Sequence, residues 1–199
     1  MKLLRKIPEA AMVAAFLKAE LASTRFSDEL KKAANKLGVP VKVISDPDVE
    51  SEAENESRAR VLGEYRGYKQ NHKIFKGFPD DLTWYDAELV RGEIGALHYI
   101  DYSYWNELTN RTHRVKDAVA NIQKGKIVFN VSHDRFWAVT EDIRQGKHDF
   151  ESIIAWGDSK DSILTILEGH LRATAFGLAG DKTPETIKVI IGLRQPAVL

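Results

Sequence analysis

One stretch near the C-terminus, residues 162–177, constrains the fold more than any other part of the chain. Residues 163–167 form a short apolar run with a single threonine, which is typical of a buried strand. Glu168 and Gly169 interrupt this run, and apolar residues then recur at helical spacing over residues 170–179. The sequence therefore predicts a strand that turns at a glycine directly into a helix.

A strand–glycine–helix turn of this kind can bind an anion. The first backbone N–H groups of a helix have no partner within the helix, and they lie at the positive end of its dipole. Arg172, in the first turn, adds a forked cationic group that suits phosphate. The turn predicts a phosphate-handling site, and it does not name the reaction.

The residues of this turn, Glu-Gly-His-Leu-Arg-Ala-Thr-Ala at 168–175, resemble the strand–glycine–helix signature of the ParB/sulfiredoxin-like fold. That family includes ParB partition proteins, sulfiredoxins and nucleotide-dependent free-serine kinases. The resemblance covers the C-terminal half of the chain and implies that Gly169, His170 and Arg172 bind nucleotide phosphates. It also implies a catalytic role for Glu168, which stands where the kinases carry an aspartate.

Two departures from the family pattern narrow the chemistry. Sulfiredoxins need a nucleophilic cysteine at this turn, and the chain contains no cysteine, so sulfiredoxin chemistry is excluded. ParB proteins carry a further arginine where this chain has Thr174. That difference weakens the expectation of a ParB-type nucleotide switch.

The middle of the chain supplies a second carboxylate. Residues 84–90 are predicted to be helical, whereas residues 96–105 have the strongest β-propensity in the chain and predict a strand. The resembled fold has an early strand near its nucleotide, which makes Asp101 a reserve catalytic carboxylate. An aspartate on a strand more often anchors hydrogen bonds, so both roles stay open.

A second basic cluster precedes a helix predicted over residues 115–123. Arg111, His113 and Arg114 lie just before this helix, and they form either a second anion-binding point or an exposed basic cap. The resemblance implies the first role, because ParB-like domains have an arginine-bearing loop in a comparable place that contacts the nucleotide.

The N-terminal part has helical periodicity. Helices predicted over residues 8–21 and 28–37 form an amphipathic hairpin, which more often serves as core or as the contact of a homodimer than as a ligand site. Short β-type runs follow after Glu93. The sequence predicts an α+β protein, with a helix-rich region over 1–92 and a ParB/sulfiredoxin-like domain with a small mixed sheet over 93–199.

Charge and cysteine content bear on partners and location. With 29 basic and 29 acidic residues the chain has no net charge, so no global field attracts it to DNA or to an anionic membrane, although local basic patches remain compatible with this balance. The apolar run at residues 10–17 is too short to span a bilayer. The absence of cysteine and of an export signal predicts a cytoplasmic protein.

Several nucleotide and metal motifs are missing. The sequence contains no Walker phosphate loop, no dinucleotide fingerprint and no nucleophile elbow. Its six histidines lack ligand spacing, which argues against a zinc site, whereas Mg²⁺ can enter with a nucleotide through phosphate oxygens and one or two carboxylates.

Three functions follow from these observations. The first is a nucleotide-dependent phosphotransferase or hydrolase, and it is the one we favour from the sequence. The second is a non-catalytic ParB-like regulatory module that binds nucleotide, DNA or a protein partner. The third is a domain that has lost its ligand and serves only in assembly.

Overall fold

Five strands and nine α-helices make up the described part of this protein, residues 1–147 and 150–195, in a computed structural model. The strands are β1 (Lys2–Ile7), β2 (Thr83–Val90), β3 (Ile153–Gly157), β4 (Thr165–Glu168) and β5 (Thr186–Leu193). The helices are α1 (Glu9–Ala22), α2 (Ser27–Lys36), α3 (Lys42–Ser45), α4 (Glu52–Arg66), α5 (Arg91–Ile94), α6 (Ser103–Leu108), α7 (Val115–Gln123), α8 (Asp134–Arg144) and α9 (His170–Ala179). The predicted α+β class is confirmed.

The strands form one mixed sheet in the order β1-β2-β5-β3-β4. β3 pairs in parallel with β5, with Ile153 opposite Val189, and antiparallel with β4, with Ala155 opposite Ile166. β3 and β5 are rich in isoleucine and are buried along most of their length, as expected for central strands covered on both faces. Helix α9 packs against both α7 and α8.

Two short pairings continue the backbone network beyond β4. The N–H group of His98 donates to the Leu164 carbonyl at 2.9 Å, and the His98 carbonyl accepts from Ile166 at 2.7 Å. On the other side of this segment, the N–H group of Tyr99 donates to the His113 carbonyl at 2.8 Å. The segment before α7 is therefore tied to β4 through residues 97–99.

The chain divides into two units. The helical unit is Lys6–Trp84, and the sheet unit consists of Met1–Arg5 together with Tyr85–Leu199. The sequence places this boundary after residue 92, and β1 has no counterpart in the sequence prediction. Of the domain predicted over 93–199, residues 148–149 and 196–199 lie outside the described part of the chain.

Two segments differ from their predicted secondary structure. Residues 84–90 form β2 rather than a helix, because the buried Tyr85, Ala87 and Leu89 alternate with less buried carboxylates, a period-two pattern that a helix cannot bury. The strand predicted over residues 96–105 is also wrong, since its second half enters α6. There the aromatic rings pack against the core from a helix, so tertiary contacts override β-propensity.

The helical unit has a core of its own. α1 packs against α2, α3 and α4, and its Phe16 and Leu17 are fully buried, as are Leu30 of α2 and Leu62 of α4. Within residues 6–84, every large apolar side chain is buried or half-buried. The apolar faces of the N-terminal hairpin therefore form part of the core of the helical unit.

Arg58 joins several segments of the helical unit and is itself fully buried. Its Nη1 donates to the Val43 carbonyl at 2.9 Å and to the Glu54 carboxylate at 3.1 Å. Its Nη2 donates to the Asp48 carbonyl at 2.6 Å and to the Asn55 side-chain oxygen at 2.5 Å. One guanidinium thus connects α4 to α3 and to the loop between them.

Arg58→Ala should lower the free energy of unfolding by about 3 kcal/mol, because it removes the packing of a fully buried side chain and leaves partly buried acceptors without their donors. Arg58→Lys should recover little of this loss, since a single ammonium group cannot replace the fork. Thermal denaturation followed by circular dichroism measures the effect, with Arg60→Ala at an exposed position of the same helix as control. Equal melting temperatures for the two alanine variants would contradict the assignment.

Candidate functional site

The predicted strand–glycine–helix turn is present in the structure. β4 ends at Glu168, Gly169 has φ 94° and ψ 20°, and α9 begins at His170. A Cβ atom at position 169 would lie 3.1 Å from Ile153 Cα and 3.1 Å from Arg172 Nη2, so the backbone conformation and the packing both require glycine. The N-cap position of α9 is Gly169 itself, which has no side chain that could accept from the first N–H groups of the helix.

Glu168 and Arg172 form an ion pair across the first turn of α9. The Nη2 atom of Arg172 donates to Glu168 Oε2, and it also donates to the Ser152 carbonyl at 3.4 Å. The two side chains are only 14% and 15% exposed, so their attraction is screened less than that of a surface pair. The charge of Glu168, the predicted catalytic carboxylate, and the charge of Arg172, the predicted phosphate-binding group, therefore neutralise each other.

His170 belongs to a stack of aromatic rings. Its ring is nearly parallel to those of Tyr99 and Trp105, with centroids 6.0 Å and 5.6 Å away, and the Tyr99 and Trp105 rings stack at 4.0 Å. Tyr99 and Trp105 are not among the functional residues predicted from the sequence. Their only sequence signal is the aromatic content of residues 96–105, which does not indicate a contact with a helix far along the chain.

A buried chain of hydrogen bonds fixes this stack to α9. The Thr174 hydroxyl donates to the His170 carbonyl at 2.7 Å, so the 2.7 Å contact between the hydroxyls of Tyr99 and Thr174 has Tyr99 as its donor. Burial raises the pKa of the Tyr99 phenol well above its usual value, which keeps the proton on it. Thr174, at the position where ParB proteins carry an arginine, therefore connects the Tyr99 hydroxyl to the His170 carbonyl.

The ring cluster continues to the N-terminus of α8. The centroids of Trp105 and Phe136 are 6.1 Å apart, and those of Phe136 and His133 are 5.7 Å apart. His133 is 6% exposed, and its Nε2 atom has no hydrogen-bond partner among the described residues. Burial lowers the pKa of this imidazole, so the cluster holds it in the neutral form.

The second predicted anion-binding point, before α7, already holds a carboxylate of the protein. Arg114 Nε donates to Asp117 Oδ2 at 3.0 Å, and the Thr112 hydroxyl donates to the same oxygen at 2.5 Å. The Thr112 hydrogen bond, followed by the charge of Arg114, lowers the pKa of Asp117. An aspartate in the first turn of a helix also interacts favourably with the helix dipole.

The remaining candidates lie on other parts of the same segment. Arg111 is exposed with φ 65°, and His113 is half-buried with φ 62°. Asp101 is exposed and accepts a hydrogen bond from Asn106 Nδ2 at 2.7 Å. The structure thus groups Glu168, Gly169, His170 and Arg172 at one turn, whereas Asp101, Arg111, His113 and Arg114 lie on residues 101–114.

The described part of the chain contains neither a metal-binding cluster nor a membrane-spanning helix. Among residues 1–147 and 150–195, no group of three or more histidine, aspartate or glutamate side chains is arranged to hold a metal ion. In the same residues, no helix combines the length and the apolar character needed to cross a membrane.

We find no match between this chain and any protein-family model, curated protein or solved structure. The ParB/sulfiredoxin-like assignment therefore stays a prediction that rests on residues 168–175.

His133 should make the fold sensitive to acid. Its pKa in the folded protein is lowered, and the imidazole of the unfolded chain titrates near about 6.5, so the unfolded chain binds the proton first as the pH falls. The free energy of unfolding should therefore be highest above about pH 6.5 and decrease as the pH falls toward the folded pKa.

Urea denaturation of the parent and of His133→Gln over a series of pH values measures this effect. The decrease between about pH 6.5 and 5 should be smaller in the variant, although His98, whose pKa burial also lowers, leaves some of it. An equally steep decrease in both proteins would contradict the role of His133.

Proposed function

We propose that this chain binds a nucleotide or another phosphate ligand at the Gly169 turn, in a domain of the ParB/sulfiredoxin-like type. The proposal rests mainly on one observation: α9 begins at a left-handed glycine, which has no capping side chain, and Arg172 lies in the first turn of the helix. Backbone N–H groups at such a helix end bind phosphate oxygens. The resemblance of residues 168–175 to the family signature favours the same kind of ligand.

The Glu168–Arg172 ion pair determines how a phosphate would bind. A guanidinium carries five N–H donors, so Arg172 can serve a phosphate while it keeps a hydrogen bond to Glu168 through Nη2. The carboxylate then orients the guanidinium, and its negative charge opposes that of the ligand. Binding therefore depends on the backbone amides and on Arg172 together.

The aromatic stack beside the turn favours a nucleotide over inorganic phosphate. Trp105 and His170 are half-buried, and their rings lie next to the first residue of α9 with an interplanar angle of 15°. Nucleobases stack on aromatic side chains with little dependence on sequence. A ligand with phosphates at the turn and a base at the rings would use both features.

Two roles are compatible with such a site, and Glu168 separates them. A phosphotransferase or hydrolase would use Glu168 as an acid–base group or as a ligand of Mg²⁺. A non-catalytic regulatory module would use the nucleotide only to favour one conformation. The ion pair supports the second role, because the carboxylate that a phosphotransferase needs is already bound to Arg172.

Arg172→Ala should weaken nucleotide binding by about 1–3 kcal/mol, as expected for a lost charge-assisted contact. Calorimetry with ATP, ADP, CTP and GTP, each with Mg²⁺, measures the affinity. Arg60→Ala serves as the comparison, because Arg60 is exposed on α4 and is not among the candidate ligand-binding residues. If the parent protein binds no nucleotide, phosphate or sulfate, the proposed function is wrong.

Glu168→Gln distinguishes enzyme from module. In a phosphotransferase or hydrolase, the substitution should lower turnover by about 100-fold or more with little change in affinity. In a module there is no turnover to lose, and affinity should increase because a negative charge near the phosphates is removed. Nucleotide consumption and binding by both proteins, with and without Mg²⁺, decide between the two. Equal turnover in parent and variant would exclude the catalytic role of Glu168.

A further inference from the structure

Half of the large apolar side chains that are exposed in the described residues lie in one short segment of the sheet unit. Four of them lie within eleven residues of the chain, at the end of the α7–α8 connection and at the start of α8. They are Ile127 (56% exposed), Phe129 (63%), Val131 (45%) and Trp137 (37%), and we call them the apolar patch. Patches of this kind on a soluble domain mark interaction surfaces.

The backbone holds this patch in a defined conformation. The Val131 N–H group donates to the Val128 carbonyl at 2.9 Å, which closes a tight turn. Its two central residues, Phe129 and Asn130, have φ values of 49° and 55°. The left-handed region disfavours a bulky residue such as phenylalanine. The turn therefore presents the Phe129 ring to solvent in an unfavourable backbone conformation, as residues at binding sites often do.

Trp137 of the apolar patch also belongs to an exposed face of α8. The helix buries Phe136, Thr140 and Ile143 against the core, and a second stripe at spacings of three, four and three residues is exposed. That stripe consists of Asp134, Trp137, Glu141 and Arg144. Asp134 lies in the first turn of α8, Trp137 lies near its middle, and Glu141 and Arg144 lie in its last turn, where Arg144 Nη1 is 4.0 Å from Glu141 Oε2.

We propose that this surface binds a second copy of the chain, with the two α8 helices antiparallel about a two-fold axis. Antiparallel packing places the first turn of each helix beside the last turn of the other. Asp134 of each copy then lies near Arg144 of the other copy, so the same ion pair forms twice, as an isologous contact requires. Trp137 lies between these pairs, against the aliphatic part of Glu141 of the second copy.

The charges favour a second copy over other partners. The chain has no net charge, so two copies do not repel each other as whole molecules. A nucleic acid or an anionic lipid surface would need a cationic face, whereas the exposed stripe of α8 carries both Asp134 and Glu141. Asp134 at the first residue of α8 and Arg144 at its last residue complement each other when the helix meets its own reversed copy.

The distribution of exposed apolar residues favours a homodimer contact through α8 over the contact through the N-terminal helices that the sequence predicts. Those helices belong to the helical unit, in which no large apolar side chain of residues 6–84 is exposed. The apolar patch lies entirely in the sheet unit. This proposal does not depend on the nucleotide site, and a protein that binds no phosphate could still form the dimer.

The test is the molar mass of the full chain in solution, measured by light scattering and by sedimentation velocity from about 1 to 100 µM. The parent should be a dimer at the upper end of this range, and Trp137→Ser and Phe129→Ser should shift it to the monomer. Ile163→Ser is the matched control, because Ile163 is 62% exposed but lies outside the patch. A parent that is monomeric throughout, or a dimer that persists in Trp137→Ser, would overturn the proposal.

Charge reversal tests the antiparallel geometry. Asp134→Arg alone and Arg144→Asp alone should each weaken the dimer by about tenfold, and the double variant should recover most of the affinity because the reversed pairs form again. Arg144 also donates to the Leu178 carbonyl at 3.3 Å, so thermal melting checks that each variant is folded. A double variant that dimerises no better than the weaker single variant would exclude this arrangement.

Discussion

The left-handed backbone at Gly169 is the constraint on which the arrangement around α9 depends. It allows β4 to continue into α9 without an intervening loop, and it brings the backbone of the turn against Ile153 of β3. Glu168 and Arg172 are thereby placed on the same side of the first helical turn. The sheet, the helix that packs against α7 and α8, and the candidate site thus share one short connection, and a side chain at position 169 would disturb all three.

This connection could be predicted because its signal is local. The apolar run, the glycine and the helical spacing fall within twenty residues, and the predicted helix over 170–179 is α9 as observed. Residues 84–90 and 96–105 were harder to predict, because distant contacts determine their structure. β2 lies beside strands from both ends of the chain, and the rings near Trp105 find their partners on α8 and α9.

The candidate site divides in the same way. The groups that we propose to bind phosphate at the turn follow from neighbouring residues, and even the Glu168–Arg172 pair is consistent with a spacing of four. The stack of Tyr99, Trp105 and His170 cannot be predicted from spacing, since it requires residues 97–99 to lie beside β4. Candidate ligand-binding groups can therefore be predicted from local sequence, whereas the groups that hold them in position depend on distant contacts.

Tyr99 has a consequence for how the sheet unit would respond to a ligand. Its backbone N–H group is bonded to His113 before α7, and its hydroxyl is bonded to Thr174 on α9. The ring between these two hydrogen bonds is buried in the core of the sheet unit. The segment before α7 and the first turns of α9 are thus connected through a single buried side chain.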